Sequence, residues 1–166
     1  MEIVPLTADP ETLEALAGLL AATVAAGGSV GFMHPLAPGD ARAFWEQSFA
    51  RPARVILGAR IDGRLRATLT LDLCPWPNQP HRAELAKMMT APAARGQGLA
   101  TALIAAAEGE ARRRGRWLLT LDTAAAGGAA GLYEKCGYIP CGRIPDFALK
   151  PRGGLTDTLL FYKRLN

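Results

Sequence analysis

The stretch that most restricts what this chain can fold into is Leu85 to Ala106, LAKMMTAPAARGQGLATALIAA. An apolar run reads as a strand up to Thr90, Pro92 breaks it, and Arg95-Gly96-Gln97-Gly98 turns the chain. Leu99, Ala102, Leu103 and Ala106 then recur at helical spacing. Glycines between a strand and a helix let the backbone curl so that several N–H groups point into one space. The first turn of the new helix aims its positive end at the same place. Arg95 adds a planar, permanent cation suited to phosphate oxygens. The stretch therefore predicts an anion cradle from Arg95 through Thr101; the plainer alternative is an ordinary strand-to-helix connection with a solvated arginine.

The rest of the chain reads as one domain over residues 1–166, long enough to bury roughly 70% of its unfolded surface without staples. Cys74, Cys136 and Cys141 are odd in number and scattered, which argues against a disulfide framework and a zinc site and points to a reducing, cytoplasmic setting. No charge occurs from Ala15 to Met33, but alanine supplies little transfer energy and Gly27, Gly28 and Gly31 interrupt the run, so neither a membrane span nor a targeting segment is expected. The net charge of +4 favours anionic ligands. The basic run Arg112-Arg113-Arg114-Gly115-Arg116 falls where a helix should end, where cations complement its dipole, so nucleic acid is not an expected partner.

Glu2 to Leu6 reads as a first strand. Asp9 and Pro10 open a helix whose apolar face is Leu13, Leu16, Ala17, Leu20 and Val24. The glycine-rich segment from Gly27 to Met33 either presents Phe32 and Met33 to a ligand or tucks them into the core. A second helix is expected over Asp40 to Phe49. Val55–Ile61 and Leu65–Leu73 flank Asp62-Gly63 and form a hairpin, whose second arm alternates so that one face is buried and the other partly wet. The proline-rich Cys74 to Pro80 reads as a rigid edge near the site. Arg82 to Thr90 is the strand feeding the cradle, and the helix from Gly98 to Arg114 stops at Gly115. A buried strand over Trp117 to Leu121 ends at Asp122, a helix covers Ala125 to Lys135, and Tyr138 to Cys141 is a short strand. Arg143 to Gly154 reads as a loop or lid before a last strand, Thr156 to Leu165.

Arg95, Gly98 and Ala100 match the R/Q-x-x-G-x-G/A pattern of the GNAT superfamily of acetyl-CoA-dependent N-acetyltransferases, and Tyr133-Glu134-Lys135-Cys136-Gly137-Tyr138 resembles a second family segment. The likeness covers nearly the whole chain in its order of elements. It implies an α/β fold (α+β) with a mixed, mostly antiparallel sheet of six or seven strands and about four helices. Gly28 to Met33, Arg82-Ala83-Glu84, Leu121-Asp122-Thr123 and Phe161-Tyr162-Lys163 further resemble the tabtoxin-resistance acetyltransferases, which implies a small amino-acid-like or β-lactam amine as acceptor and a role in toxin resistance.

By this resemblance, Arg95, Gly96, Gln97, Gly98, Leu99, Ala100 and Thr101 bind the pyrophosphate of acetyl-CoA, the co-substrate, with no metal. Main-chain groups of Met88, Met89 and Thr90 pair with its pantetheine arm, and the Met89 N–H faces the thioester oxygen. Phe32, Met33, Trp76, Asn78 and Arg82 are the expected acceptor-binding residues. An alkyl ammonium near pKa 10 and a carboxylate near 4 leave direct proton transfer uphill by roughly 8 kcal/mol, so the base needs burial, a relaying water or a less basic amine. Asp122 and Glu84 are the candidates, the resemblance favouring Asp122. The plainer alternatives are a helix N-cap for Asp122 and an ion pair with Arg82 for Glu84. Tyr133 would serve the leaving thiolate, or be a core tyrosine. No histidine neighbours Cys136 in sequence, so direct attack in a ternary complex is expected rather than an acyl-enzyme. A dinucleotide-binding domain is disfavoured because Thr101 replaces the third glycine. A non-catalytic acyl-CoA-binding module, which needs neither Asp122 nor Tyr133, stays open, as does the choice between monomer and homodimer.

Overall fold

The computed structural model describes all residues from Met1 to Asn166. Asp9 caps the first helix through a bond from the Thr12 N–H to its carboxylate (2.9 Å), and Pro10 stands where its missing N–H costs nothing. In chain order the elements are β1 (Glu2–Pro5), α1 (Pro10–Ala25), α2 (Pro38–Phe49), β2 (Arg54–Ile61), β3 (Arg64–Leu73), β4 (Arg82–Thr90), α3 (Leu99–Arg113), β5 (Leu118–Ala124), α4 (Ala130–Lys135), β6 (Ile139–Leu149) and β7 (Leu155–Arg164). The seven strands form one sheet in the order β1-β2-β3-β4-β5-β7-β6. Asp62 and Gly63 both adopt positive φ, 50° and 73°, as the tight turn between β2 and β3 requires.

Only β4 and β5 run parallel, and they pair just over Arg82↔Leu118, Ala83↔Leu119 and Glu84↔Thr120. Beyond Glu84 the strands part: β4 stays on β3, while β5 stays on β7 through Ala124. The divergence coincides with a bulge in β4. Thr68 faces Met89 and Thr70 faces Ala86, so Lys87 and Met88 oppose Leu69 alone, and Lys87 takes a φ of 49°. A wedge thus opens in mid-sheet, with the unpaired edge of β4 on one side.

Two cores clamp the sheet. One face packs Leu57, Leu69, Leu71, Leu85, Leu119, Leu121 and Phe161 against Leu99, Leu103 and Ile104 of α3. The other carries Ile56 and Met89 under Leu16, Leu20 and Trp45, and the Trp45 indole donates to the Leu16 carbonyl at 3.1 Å. The expected partly wet face of β3 is corrected here: Thr68 and Thr70 are 0% exposed, with α1 packed on β3 and α2 on α1 and β2. Their hydroxyls donate to the carbonyls of Leu57 and Ala86, so burial leaves no polar group stranded. Nearby, Arg54 grips Asp72 with two hydrogen bonds (2.5 and 2.6 Å) and reaches Ser48 at 3.0 Å. No helix is long and apolar enough to cross a membrane.

Three further expectations change. Asp122 does not end a strand or cap a helix; it lies inside β5, opposite Leu160. The helix expected over Ala125 to Lys135 is a single turn at Ala125–Gly127 and then the short α4, divided by Gly128 at φ 71°. The expected lid is mostly the edge strand β6, and only Lys150 to Gly154 turns the chain. Pro140 and Pro145 are tolerated there because an edge strand can forgo N–H bonds, and irregular register absorbs the extra residues. Asp157 takes up the geometry by accepting from the Asp146 N–H and from Arg143.

Candidate functional site

After β4, a turn at Pro92–Ala94 delivers the chain to Arg95, and Gly96 and Gly98 adopt φ of 76° and 79°. Gly98 is the N-cap of α3 and has no side chain with which to cap it; the first bond of the helix runs from the Ala102 N–H to the Gly98 carbonyl. The amides from Gly96 to Thr101 accordingly donate to no other group of the protein. Arg95 is exposed beside them and enters no ion pair. Free amides, a helix dipole and an uncommitted guanidinium converge as an anion site should. Leu99 contributes only backbone, since its side chain is in the core.

The wedge between β4 and β5 continues into a cavity of about 300 Å³. Its walls come from the loop Ser29 to Gly31, β4 from Leu85 to Met88, β5 from Asp122 to Ala124, Tyr133 of α4, and the facing parts of β6 and β7. Met88 lines it, whereas the Met89 side chain is buried under α1. The expected turn of the Met89 N–H toward a thioester is corrected: the Ala91 N–H bonds the Arg66 carbonyl and Met89 faces Thr68 two residues earlier in the same register, so the Met89 main chain faces β3, while Thr90 between them faces outward. Of the expected acceptor-binding residues, none stands on these walls. Phe32 packs edge-on against Phe44 at 5.1 Å, Met33 is exposed, and Trp76 is 63% exposed in the loop before β4. Asn78 is exposed in that loop, and Arg82 is committed to Gln79 (2.7 Å) and Thr120 (3.2 Å).

The chemistry-bearing groups are differently placed. The Asp122 carboxylate accepts from the Thr158 hydroxyl at 2.7 Å on the cavity wall. Glu84 is raised above the ordinary carboxylate range, first by burial and then by the negative charge of Asp122, while Arg82 at 3.9 Å pulls the other way. Tyr133 is 6% exposed, and burial, followed by the Asp122 charge, pushes its phenol up to about 12. Burial also raises the Cys136 thiol, with Glu108 adding to the effect, which makes it a poorer nucleophile at neutral pH. Lys87 lines the cavity, and burial lowers its ammonium. Sequence reasoning passed over Lys87, whose one visible signal is a single charge inside the apolar run from Leu85 to Met89. Thr156 and Thr158 were missed because nothing in a terminal strand marks them.

Comparison with known proteins follows the same lines. A family model described as the Acetyltransferase (GNAT) family matches residues 29–138. An uncharacterized N-acetyltransferase from the hisH-hisA intergenic region of Azospirillum brasilense is 36% identical over 102 residues, an alignment that spans 60% of this chain and 60% of that relative. A ribosomal-protein-alanine N-acetyltransferase from Brucella melitensis superposes with a TM-score of 0.84 at 24% identity over 99% of this chain and 100% of that one. An N-acetyltransferase from Staphylococcus aureus gives 0.83 at 20% identity over the whole of both chains. The yncA structure from Salmonella typhimurium, which contains its cofactor acetyl-CoA, gives 0.80 at 17% over 99% of this chain and 94% of that one. The mixed seven-stranded sheet, the parted β4 and β5 and the family match agree: the chain belongs to the GNAT acetyltransferase family.

Proposed function

We propose that the chain is an acetyl-CoA-dependent N-acetyltransferase that acetylates a primary amine of a small molecule by direct attack in a ternary complex. The observation that carries this reading is the unsatisfied amide row from Gly96 to Thr101, set at the end of a strand whose free edge leads to the Asp122 and Tyr133 cavity. The site fits acetyl-CoA. Gly96 to Thr101 and Arg95 would hold the pyrophosphate, and the open edge of β4 at Met88 and Thr90 offers main-chain partners to the pantetheine amides. When bound, acetyl-CoA supplies the activated acetyl group.

The amine nitrogen attacks the thioester carbon, a C–N bond forms, the C–S bond breaks, and the sulfur leaves with its electron pair. The amine proton passes to Glu84 or Asp122, directly or through water. The raised Glu84 narrows the gap between carboxylate and ammonium, the direction a base for this reaction needs. Full proton transfer from Tyr133 at about 12 to a thiolate near 8.5 is uphill by about 5 kcal/mol, steeper than free tyrosine implies. Tyr133 therefore acts by donating a strong hydrogen bond to the departing sulfur while keeping its proton.

The finer reading is an amino-acid-like or β-lactam acceptor, hence a toxin-resistance role. Its support is the likeness of Gly28 to Met33 and Leu121 to Thr123 to the tabtoxin-resistance acetyltransferases, together with the small size of the cavity. Incubation with acetyl-CoA and a panel of amines, read by mass spectrometry, should give an acetylated small molecule. Tight acetyl-CoA binding with no acetylated amine would instead favour a non-catalytic acyl-CoA-binding module.

A further inference from the structure

Lys87 is held at a φ of 49° by the β4 bulge, so its side chain enters the cavity beside the loop Ser29 to Gly31. Its ammonium donates to the Val30 carbonyl at 2.9 Å and lies 5.7 Å from the centre of the Phe44 ring. Gly31 keeps that approach open, since a Cβ there would come within 3.3 Å of the Lys87 Nζ. An ammonium has three donors, and only one is used within the protein. Neither Lys87 nor Asp122 enters an ion pair, although the other charges around them are committed: Arg54 to Asp72, Asp157 to Arg143, and Glu84 loosely to Arg82. Asp122, Asp72 and Glu84 act on the Lys87 ammonium only from a distance, and a half-buried cation with no anion in contact gains from one that arrives. The cavity wall thus carries a cation and a carboxylate that enter no ion pair, the complement of a molecule with both an amine and an anion.

We propose that Lys87 binds the carboxylate of the acceptor and sets its class, an amino acid with a free carboxylate whose amine faces Asp122 on the same cavity wall. The inference rests on the acetyltransferase reading above. Lys87 is then a specificity-determining residue, and a lysine that merely pins the Val30 carbonyl is the competing reading.

The test compares free amino acids with the matching amino amides, using the native protein, Lys87→Met and Lys87→Arg. The native protein should prefer the acid by ~10–100-fold in kcat/KM, chiefly through KM, as a charged hydrogen bond implies. Lys87→Met should bring that preference within about 3-fold, and Lys87→Arg should restore much of it, since it keeps the charge. No acid preference in the native protein, or equal losses for acid and amide in Lys87→Met, overturns the proposal. Calorimetry of N-acetyl amino acids and N-acetyl amino amides binding to the protein with coenzyme A separates the two readings. Lys87-dependent binding of the acids without turnover of any amine would defeat the enzyme reading alone; turnover of amides with no preference for acids would defeat this one alone.

Discussion

At the scale of single residues, Tyr133 and Glu84 are shifted in the same direction with different consequences. A phenol at about 12 stays protonated throughout the working range, so Tyr133→Phe should lower kcat by ~10–100-fold, the value of one strong hydrogen bond, while acetyl-CoA affinity changes by less than about 3-fold. Steady-state thiol release and calorimetry check the two halves. Glu84 is raised above 4.5 in the folded protein, so the native state holds its proton more tightly than the unfolded chain does. Stability contributed by this group is then present below the unfolded pKa and is lost as pH rises through the folded one. Glu84→Gln should accordingly melt higher than the native protein at pH 7, with the difference closing below about 4.5, the unfolded value; a thermal melt series checks this. If Glu84 is the base, kcat/KM also falls on the acid side with a midpoint above that of a free glutamate, and Glu84→Gln removes this limb. Asp122 and Tyr133 were candidates from sequence because each sits in a segment with a recognisable neighbourhood, and the fold brings both to the cavity wall. Lys87 was not, since a lone lysine in a strand reads equally well as a side chain reaching for solvent.

Among the elements, the turn from β4 into α3 was legible because its glycines have a backbone reason to be there. Gly98 stands at φ 79°, and a methyl group added to its Cα would meet nothing within 4 Å, so Gly98→Ala costs conformational energy of about 1–2 kcal/mol without a clash in the free protein. The same methyl would intrude on an anion seated against the amides, and acetyl-CoA affinity should fall at least ~10-fold while the fold persists, by calorimetry and circular dichroism. The hairpin of β2 and β3 was equally plain from Asp62-Gly63. What sequence did not disclose was the covering of Thr68 and Thr70, because threonine alternates with leucine in the same way whether the second face meets water or a helix. The polar contacts on that face are structural: Asp72→Ala would leave Arg54 buried without its partner and should destabilise the protein by about 3 kcal/mol in a denaturant titration, near the low end for a buried pair because Asp72 is 26% exposed. The segment from Arg143 to Gly154 looked like a lid because prolines and glycines mark loops by default. As an edge strand, β6 needs only one side of its hydrogen bonding, and bulges accommodate the rest.

Across the whole molecule, the two cores hold β4 against β3 and β5 against β7, and the wedge between them is where this sheet departs from full pairing. The cradle follows β4 and the cavity opens along it; on the proposed reading, the cradle fixes where a thioester lies and the cavity is where it reacts. The proline-rich loop before β4 lies outside this arrangement, and Trp76→Ala should change kcat/KM by less than about 2-fold, as an exposed side chain off the cavity wall implies. The order of elements and the cradle were readable because both rest on local rules. The cavity walls were not, because Ser29, Phe147 and Thr158 meet Lys87 and Asp122 only once the distant strands have paired. The most direct measurement of the central claim is the initial rate of free thiol release from acetyl-CoA as amine is varied. Release should require amine, saturate in both substrates and give intersecting double-reciprocal lines. Acetyl-CoA bound tightly at the cradle with no amine-dependent thiol, or a stoichiometric burst of thiol without amine and an acetylated Cys136, would contradict direct transfer in a ternary complex.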